Sequence, residues 1–462
     1  MLLVLVLVFL VRTKVGYFPS KYNFSYKINP KYTFINNNLT GAMDIIESDV
    51  WGFFIAEKYL QIPKSILDDF LNRGYLYENV NIEYFILKKL FKSFLKTAKS
   101  NPKRIVFCPT YYCNLNCIYC FEKKINKIEC YFDEEKLNHF FKFINNTDYK
   151  FSSLELYGGE PLLDDNQAIV EKILFFGKKK NLNITIVTNG TTLDKYFNLL
   201  KDLKENIEMI QITLDGVQAV NDKRRKFTTG EGSFNLIINN ISQLLKDGIN
   251  TNVRVNIDNQ NVGFVPDLYK YIENKGWLNY KNFDIKLALV QDHSKGESSF
   301  FPEKILEVLL KQYQKYPELE KQFGFLAFKQ LRNIVSILNG SKNVLPRFIN
   351  CETNLLELLI FCPDGLIYTC PESIGIKQHA IGQFYPEFLL FNSERNIWRT
   401  KNIFSIPDCR DCKFSLICGG GCTYSSLLVS NGENPACEKY EAVINTFFKF
   451  RGESILKYYN LN

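Results

Sequence analysis

The stretch Arg104-Ile105-Val106-Phe107-Cys108-Pro109-Thr110, followed after two tyrosines by Cys113-Asn114-Leu115-Asn116-Cys117-Ile118-Tyr119-Cys120, decides the fold. A short apolar run, strand-like in length and composition, ends in a polar loop with three cysteines. Five further runs recur at Leu154–Tyr157, Ile184–Thr188, Met209–Leu214, Val253–Ile257 and Ile285–Val290. The intervals between them are long enough for helices, as at Glu134–Ile144 and Phe234–Leu245. Strand–helix units in series imply a parallel sheet. Six of them predict an α/β fold built on an open or partial (β/α) barrel, whose chemistry belongs at the C-terminal strand ends.

Polar motifs follow those strand ends. Gly158-Gly159-Glu160-Pro161 follows the second run, and its glycines suit a close backbone approach to a ligand. Thr188-Asn189-Gly190-Thr191 ends the third. Thr213-Leu214-Asp215-Gly216 ends the fourth, where Asp215 suits ribose hydroxyls; for Asp215, as for Asn256, the other reading is a buried polar residue that closes a strand. Arg225 follows and suits a carboxylate. Asn256 closes the fifth. An amine, a carboxylate and a ribose meet in one ligand, S-adenosylmethionine.

Thirteen cysteines stand in this chain. Three occupy C-x3-C-x2-C at Cys113, Cys117 and Cys120. Later come Cys351, then Gly365 before Cys370, then Cys409-x2-Cys412-x5-Cys418-x3-Cys422, and Cys437. A given four-cysteine spacing arises by accident in roughly one such chain in several thousand. Zinc fits Cys409–Cys437 tolerably but the triplet poorly, because structural zinc takes four ligands and the nearest histidine, His139, belongs on a helix surface. All-thiolate sites also suit iron–sulfur clusters, and three thiolates leave one iron open.

The remaining chain reads less sharply. Strand-like runs Tyr22–Ile28 and Tyr32–Ile35 precede helices expected at Met43–Tyr59, Pro63–Gly74 and Ile82–Ala98, with a short wing at Tyr75–Val80, a winged-helix-like order. Residues 291–345 read as helical, and Glu438–Tyr459 as an amphipathic helix. The net charge of +8 is dispersed, which gives no sign of a nucleic-acid partner. The apolar start, Leu2–Val11, is too short to span a bilayer and lacks a preceding positive region. It reads as a strand or as residues beyond the native start. No membrane association is expected, and cluster thiolates, which must stay reduced, favour the cytoplasm.

At this point the chain resembles the radical S-adenosylmethionine (SAM) superfamily, on the triplet with Tyr119, the GGEP turn and the later strand ends. The seven later cysteines resemble a SPASM domain. Ser20-Lys21-Tyr22-Asn23, Thr40-Gly41-Ala42 and Arg73-Gly74-Tyr75-Leu76 resemble the N-terminal domain of radical enzymes that modify ribosomally synthesised peptides. The resemblance implies four parts: a peptide-recognition-like domain (1–98), a radical SAM partial barrel (99–290), a helical connector (291–345) and an auxiliary-cluster domain with a C-terminal helix (346–462).

It further implies a catalytic 4Fe-4S cluster on Cys113, Cys117 and Cys120. An outer auxiliary 4Fe-4S cluster falls to Cys409, Cys412, Cys418 and Cys437, and an inner one to Cys351, Cys370 and Cys422. Some relatives supply a further cysteine where Leu345 stands, so the fourth inner ligand stays open among an open iron, a substrate group and Cys362. Cys108 and Cys130 read as structural. The implied activity is that of a peptide maturase, which generates a 5′-deoxyadenosyl radical and oxidatively modifies or crosslinks a peptide. Its leader would bind the N-terminal domain, and an external donor would supply electrons. Two alternatives stand: an anaerobic sulfatase maturase, disfavoured by Pro371-Glu372 where that family has Asp, and a non-catalytic iron–sulfur or zinc protein.

Overall fold

A computed structural model describes residues 16–98, 100–124, 130–291, 301–341 and 344–461. The apolar start lies outside the described residues. The chain opens with β1 (Phe18–Pro19), β2 (Asn23–Lys27), β3 (Tyr32–Asn37) and β4 (Met43–Glu47). Helices Ser48–Ile55 and Lys64–Asn72 follow, then β5 (Leu76–Tyr77) and helix Val80–Ala98. β2, β3 and β4 form an antiparallel sheet, and β1 pairs with β5.

The helix expected from Met43 begins only at Ser48. Met43–Glu47 pairs with β3 instead, Ile45 opposite Phe34. Ladder bonds and packing of Ile46 against the local apolar cluster outweigh the helical pattern there. Glu47 precedes the helix in extended conformation, and Asp49 lies in its first turn, the favourable end for an acid.

The six runs all form strands: β6 (Lys103–Phe107), β7 (Phe151–Leu156), β8 (Asn183–Thr188), β9 (Ile207–Thr213), β10 (Thr251–Ile257) and β11 (Phe283–Leu289). They pair in parallel, in sequential order. Leu154, Leu156, Ile184, Ile186, Ile210, Ile212, Val253 and Val255 are buried in one core. Each such side chain contributes roughly 1.5–3 kcal/mol. Their strand neighbours Glu155, Arg254 and Asn256 are polar and alternate with them, so they point to the sheet's other face. A parallel sheet closed on both faces would be apolar on both; this one keeps a polar face.

A seventh parallel strand was not anticipated. β12 (Leu358–Phe361), from the cysteine-rich segment, pairs with β6 in parallel, Phe361 opposite Phe107. β13 (Leu366–Tyr368), β14 (Gly382–Gln383) and β15 (Leu389–Leu390) continue antiparallel, giving ten strands. Helices Pro302–Lys315, Pro317–Phe323 and Arg332–Leu338 join the two parts, and helix Tyr440–Tyr458 packs along Pro302–Lys315. Phe448 of this last helix stacks on Tyr26 and packs at a tilt against Phe34, tying the N-terminal sheet to the C-terminus. Among the described residues, no helix is long and apolar enough to cross a membrane.

Candidate active site

The cysteine triplet sits where β6 ends. Its loop is held by segment 224–228: the Asn116 amide donates to Lys226 O (2.7 Å), Ile118 to Arg224 O (2.9 Å), and Thr228 to Asn114 O (2.9 Å). These bonds satisfy backbone groups that a bare loop would leave to water, and so fix three thiols on a short irregular segment. Asn189 Nδ2 donates to Asn114 Oδ1 at 2.7 Å and lies 3.7 Å from Cys113 Sγ. Burial pushes the Cys113 thiol well up, with Glu160 adding to it. Burial likewise raises Cys117, partly offset by Arg225.

Glu160 is fully buried at the next strand end. Oε1 accepts from Thr188 Oγ1 (2.6 Å) and the Leu162 amide (2.9 Å), and Oε2 accepts from the Asn189 amide (2.6 Å). The GGEP and TNG motifs are thus one hydrogen-bonded unit. Pro161 O accepts from Asn166. The glycines serve another purpose than the one expected. A Cβ on Gly158 would stand 2.4 Å from Cys108 Sγ, and one on Gly159 2.3 Å from Tyr112 O. The close approach they permit is to the chain's own Cys108–Tyr112 segment. The Gly159 and Glu160 amides donate to Thr110 O and Tyr112 O there.

Asp215 follows the second of its two readings, a buried polar residue closing its strand, whereas Arg225 keeps a free donor. Asp215 Oδ2 accepts from Arg224 Nε (3.1 Å), and Oδ1 accepts from the Asn256 amide (3.3 Å). Its side chain has no exposed surface. It anchors an ion pair rather than presenting a free carboxylate to ribose. Arg224 also pairs with Asp258 (2.9 Å) and lies 4.9 Å from the Tyr119 ring centroid. Arg225 Nη1 donates to Tyr119 Oη (2.8 Å), which also accepts from Asn256 Nδ2 (3.1 Å). Arg225 Nε is buried without a partner, which leaves a donor for an incoming acceptor. Thr213 ends β9 beside Arg254.

Sequence reasoning missed Arg224, Asp258, Asn114 and Glu122. The run Lys223-Arg224-Arg225 held the signal for Arg224, but not which arginine faces inward. Glu122 is 6% exposed with Oε1 unpartnered. Burial, then Glu372 and Glu160, push it up to about 8.

The later cysteines fall into two neighbourhoods. Cys409 is pushed up by burial and then by Cys418, Cys437 and Cys412. Cys370 is pushed up by burial and then by Cys422 and Cys351. Between Cys418 and Cys422, Gly419, Gly420 and Gly421 all have positive φ (75°, 94° and 77°), a turn for which glycine alone is unstrained. It brings Gly421 into a parallel bridge with Ala436, the residue before Cys437. Cys362 is buried next to Cys108 in another apolar cluster, against which Cys130 packs. Among the described residues no three His, Cys, Asp or Glu side chains stand at metal-ligating distance from one another. The groupings are therefore shared neighbourhoods rather than finished coordination spheres.

The donor sets suit iron–sulfur clusters. They are all sulfur, three thiols in the triplet and seven in the later segment. The orphaned Arg225 Nε beside Cys117 suits a cofactor carboxylate.

Comparison with known proteins agrees. The Radical SAM superfamily profile matches residues 107–272. A cysteine-type anaerobic sulfatase-maturating enzyme of Clostridium novyi is 26% identical over 353 residues, 71% of this chain and 91% of its own. The antilisterial bacteriocin subtilosin biosynthesis protein AlbA of Bacillus subtilis is 25% identical over 341 residues, covering 71% of this chain and 69% of its own. Among solved structures, Streptococcus suis SuiB bound to precursor peptide SuiA shares the fold, with a TM-score of 0.53 and 15% identity over 92% of this chain and 99% of that one. Residues 107–272 are accordingly a radical SAM domain, and the chain is similar to radical SAM maturases of peptides and proteins.

Proposed function

We propose that the protein is a peptide maturase that uses S-adenosylmethionine and 4Fe-4S clusters to modify or crosslink a peptide oxidatively. The observation that carries it is the juxtaposition of a three-thiol loop with Glu160, Asn189 and the unpartnered donor of Arg225 at the polar end of a parallel sheet. Cys113, Cys117 and Cys120 would hold the catalytic cluster. When bound, cluster and cofactor supply one-electron reductive cleavage, and with it a carbon radical strong enough to abstract hydrogen from an unactivated position.

The chain's own residues do the positioning. Arg225, braced by Tyr119 and Asn256, offers Nε to a carboxylate. Arg224, paired with both Asp215 and Asp258, ties the segment after β9 to the loop after β10. Glu160, already accepting three hydrogen bonds, keeps further lone pairs for an ammonium group. Cys409, Cys412, Cys418 and Cys437, and separately Cys351, Cys370 and Cys422, would hold auxiliary clusters.

Peptides are the favoured substrate class because the N-terminal sheet domain is built onto the same scaffold, and because AlbA and SuiB are named for peptide products or precursors. Leader binding by residues 18–98, an external electron donor and a cytoplasmic setting complete the reading. Formylglycine formation on a sulfatase is the second reading, favoured by the Clostridium novyi relative.

Anaerobic reconstitution with iron and sulfide, then dithionite and S-adenosylmethionine, should release 5′-deoxyadenosine and methionine. Co-expression with candidate peptides should give a mass loss of two hydrogens per crosslink. No cofactor cleavage by reconstituted protein with a full iron content sinks both readings; formylglycine on a sulfatase peptide would select the second.

A further inference from the structure

A groove of about 620 Å³ lies away from the thiols, at the opposite end of β6. Lys103 begins β6, whereas the triplet follows its end, roughly 15 Å away along five residues. Four cations line the groove: Lys103, Lys150, Arg395 and Arg399. Arg395 and Arg399 stand four residues apart on helix Asn392–Arg399, a like-charge spacing that costs a helix stability unless something neutralises it.

Nearby acids are few. Asp148 lines the groove, and Glu357 near Lys103 already accepts from Asn101 Nδ2. None of the four cations forms an ion pair among the described residues. Lys103 Nζ donates only to Leu355 O, at 3.4 Å. Burial holds Lys103 below the usual range; Glu357 raises it, and Arg395 and Arg399 lower it further.

The floor is apolar. Leu359, Ile367 and Ile381 are buried there, and Leu390 belongs to β15, the last strand of the sheet, with one edge unpaired among the described residues. Cations around an apolar floor beside an open strand edge suit an extended chain with alternating acidic and apolar side chains. A bare phosphate would leave the Leu and Ile floor unused.

We propose that this groove docks an acidic, extended segment of the peptide substrate, its carboxylates on Lys103, Lys150, Arg395 and Arg399 and its apolar side chains on Leu359, Ile367 and Ile381. This rests on the peptide-substrate reading above.

The test is fluorescence anisotropy on the full chain without added S-adenosylmethionine. The probe is a fluorescein-labelled peptide of alternating Glu and Leu, set against a Lys–Leu counterpart. Inorganic phosphate and a single-stranded RNA serve as competitors. The Glu–Leu peptide binds, more weakly as salt rises. R395E/R399E weakens it at least about tenfold, and R395K/R399K retains most of it. K103Q/K150Q gives an independent loss should R395E/R399E fail to fold. Equal binding of the Lys–Leu peptide overturns the proposal. So does unchanged affinity in R395E/R399E or in K103Q/K150Q, or displacement of the peptide by phosphate or RNA at concentrations well below those of the peptide. Because no cofactor cleavage is read, a negative result here leaves the radical chemistry standing, and absent cleavage alongside peptide binding leaves the groove standing.

Discussion

The loop of Cys113, Cys117 and Cys120 and the segment from Cys351 to Cys437 both gather thiols, by different means. The first is eight residues long, and its shape comes from hydrogen bonds to segment 224–228 and from Asn189. Charged groups surround it: Glu160, Glu122, Arg225 and the Arg224–Asp215 pair. The second spans 87 residues, counted from Cys351 to Cys437, and its shape comes from turns, above all the three positive-φ glycines before Cys422. The contrast separates a site that must bind and orient a small polar molecule from sites that need only hold metal. Oriented charge is what catalysis requires and what storage of electrons does not.

The strongest test of that division replaces whole thiol groups. C113A/C117A/C120A should abolish deoxyadenosine release and lower iron content by about a third. C409A/C412A should lose a similar share of iron while still cleaving the cofactor. Equal loss of cleavage in both would break the division. Next is R224M, which strands Asp215 in a site where its side chain has no exposed surface. Chemical denaturation should show a loss of about 3–5 kcal/mol. The double variant with D215N should recover much of it.

Glycine substitutions act on each region alone. G159A drives a Cβ to 2.3 Å from Tyr112 O, and G421A drives one to 2.2 Å from Ala436 O at φ 77°. Each should cost about 1–3 kcal/mol. G159A should lower cofactor cleavage, whereas G421A should lower iron content with cleavage largely kept. Tyr119→Phe is the mildest. It removes the acceptor shared by Arg225 and Asn256, at about 1 kcal/mol. The expected reading is a roughly fivefold higher KM for S-adenosylmethionine with little change in kcat, which steady-state cleavage assays resolve.

Legibility in the sequence followed the range of the forces involved. The six parallel strands each appear as a local apolar run, and their boundaries fall within about three residues of those runs. Met43–Glu47 failed because its strand state depends on pairing with Tyr32–Asn36, which no window around it reveals. The strand Leu358–Phe361 is apolar throughout, but its place beside β6 depends on a partner about 250 residues earlier.

At the site, sequence alone determined which residue types collect at strand ends, because parallel strand–helix units bring all C-terminal ends to one side. Only the tertiary structure decided their partners. It turned Asp215 toward Arg224 rather than toward a ligand, and left the Nε of Arg225 as the open donor. It also aimed the GGEP glycines at the Cys108–Tyr112 segment, because that is the backbone packed against them. The triplet was legible as a metal-binding pattern from spacing alone; its environment of oriented charge depends on loops up to about 150 residues away in sequence, and so on the fold.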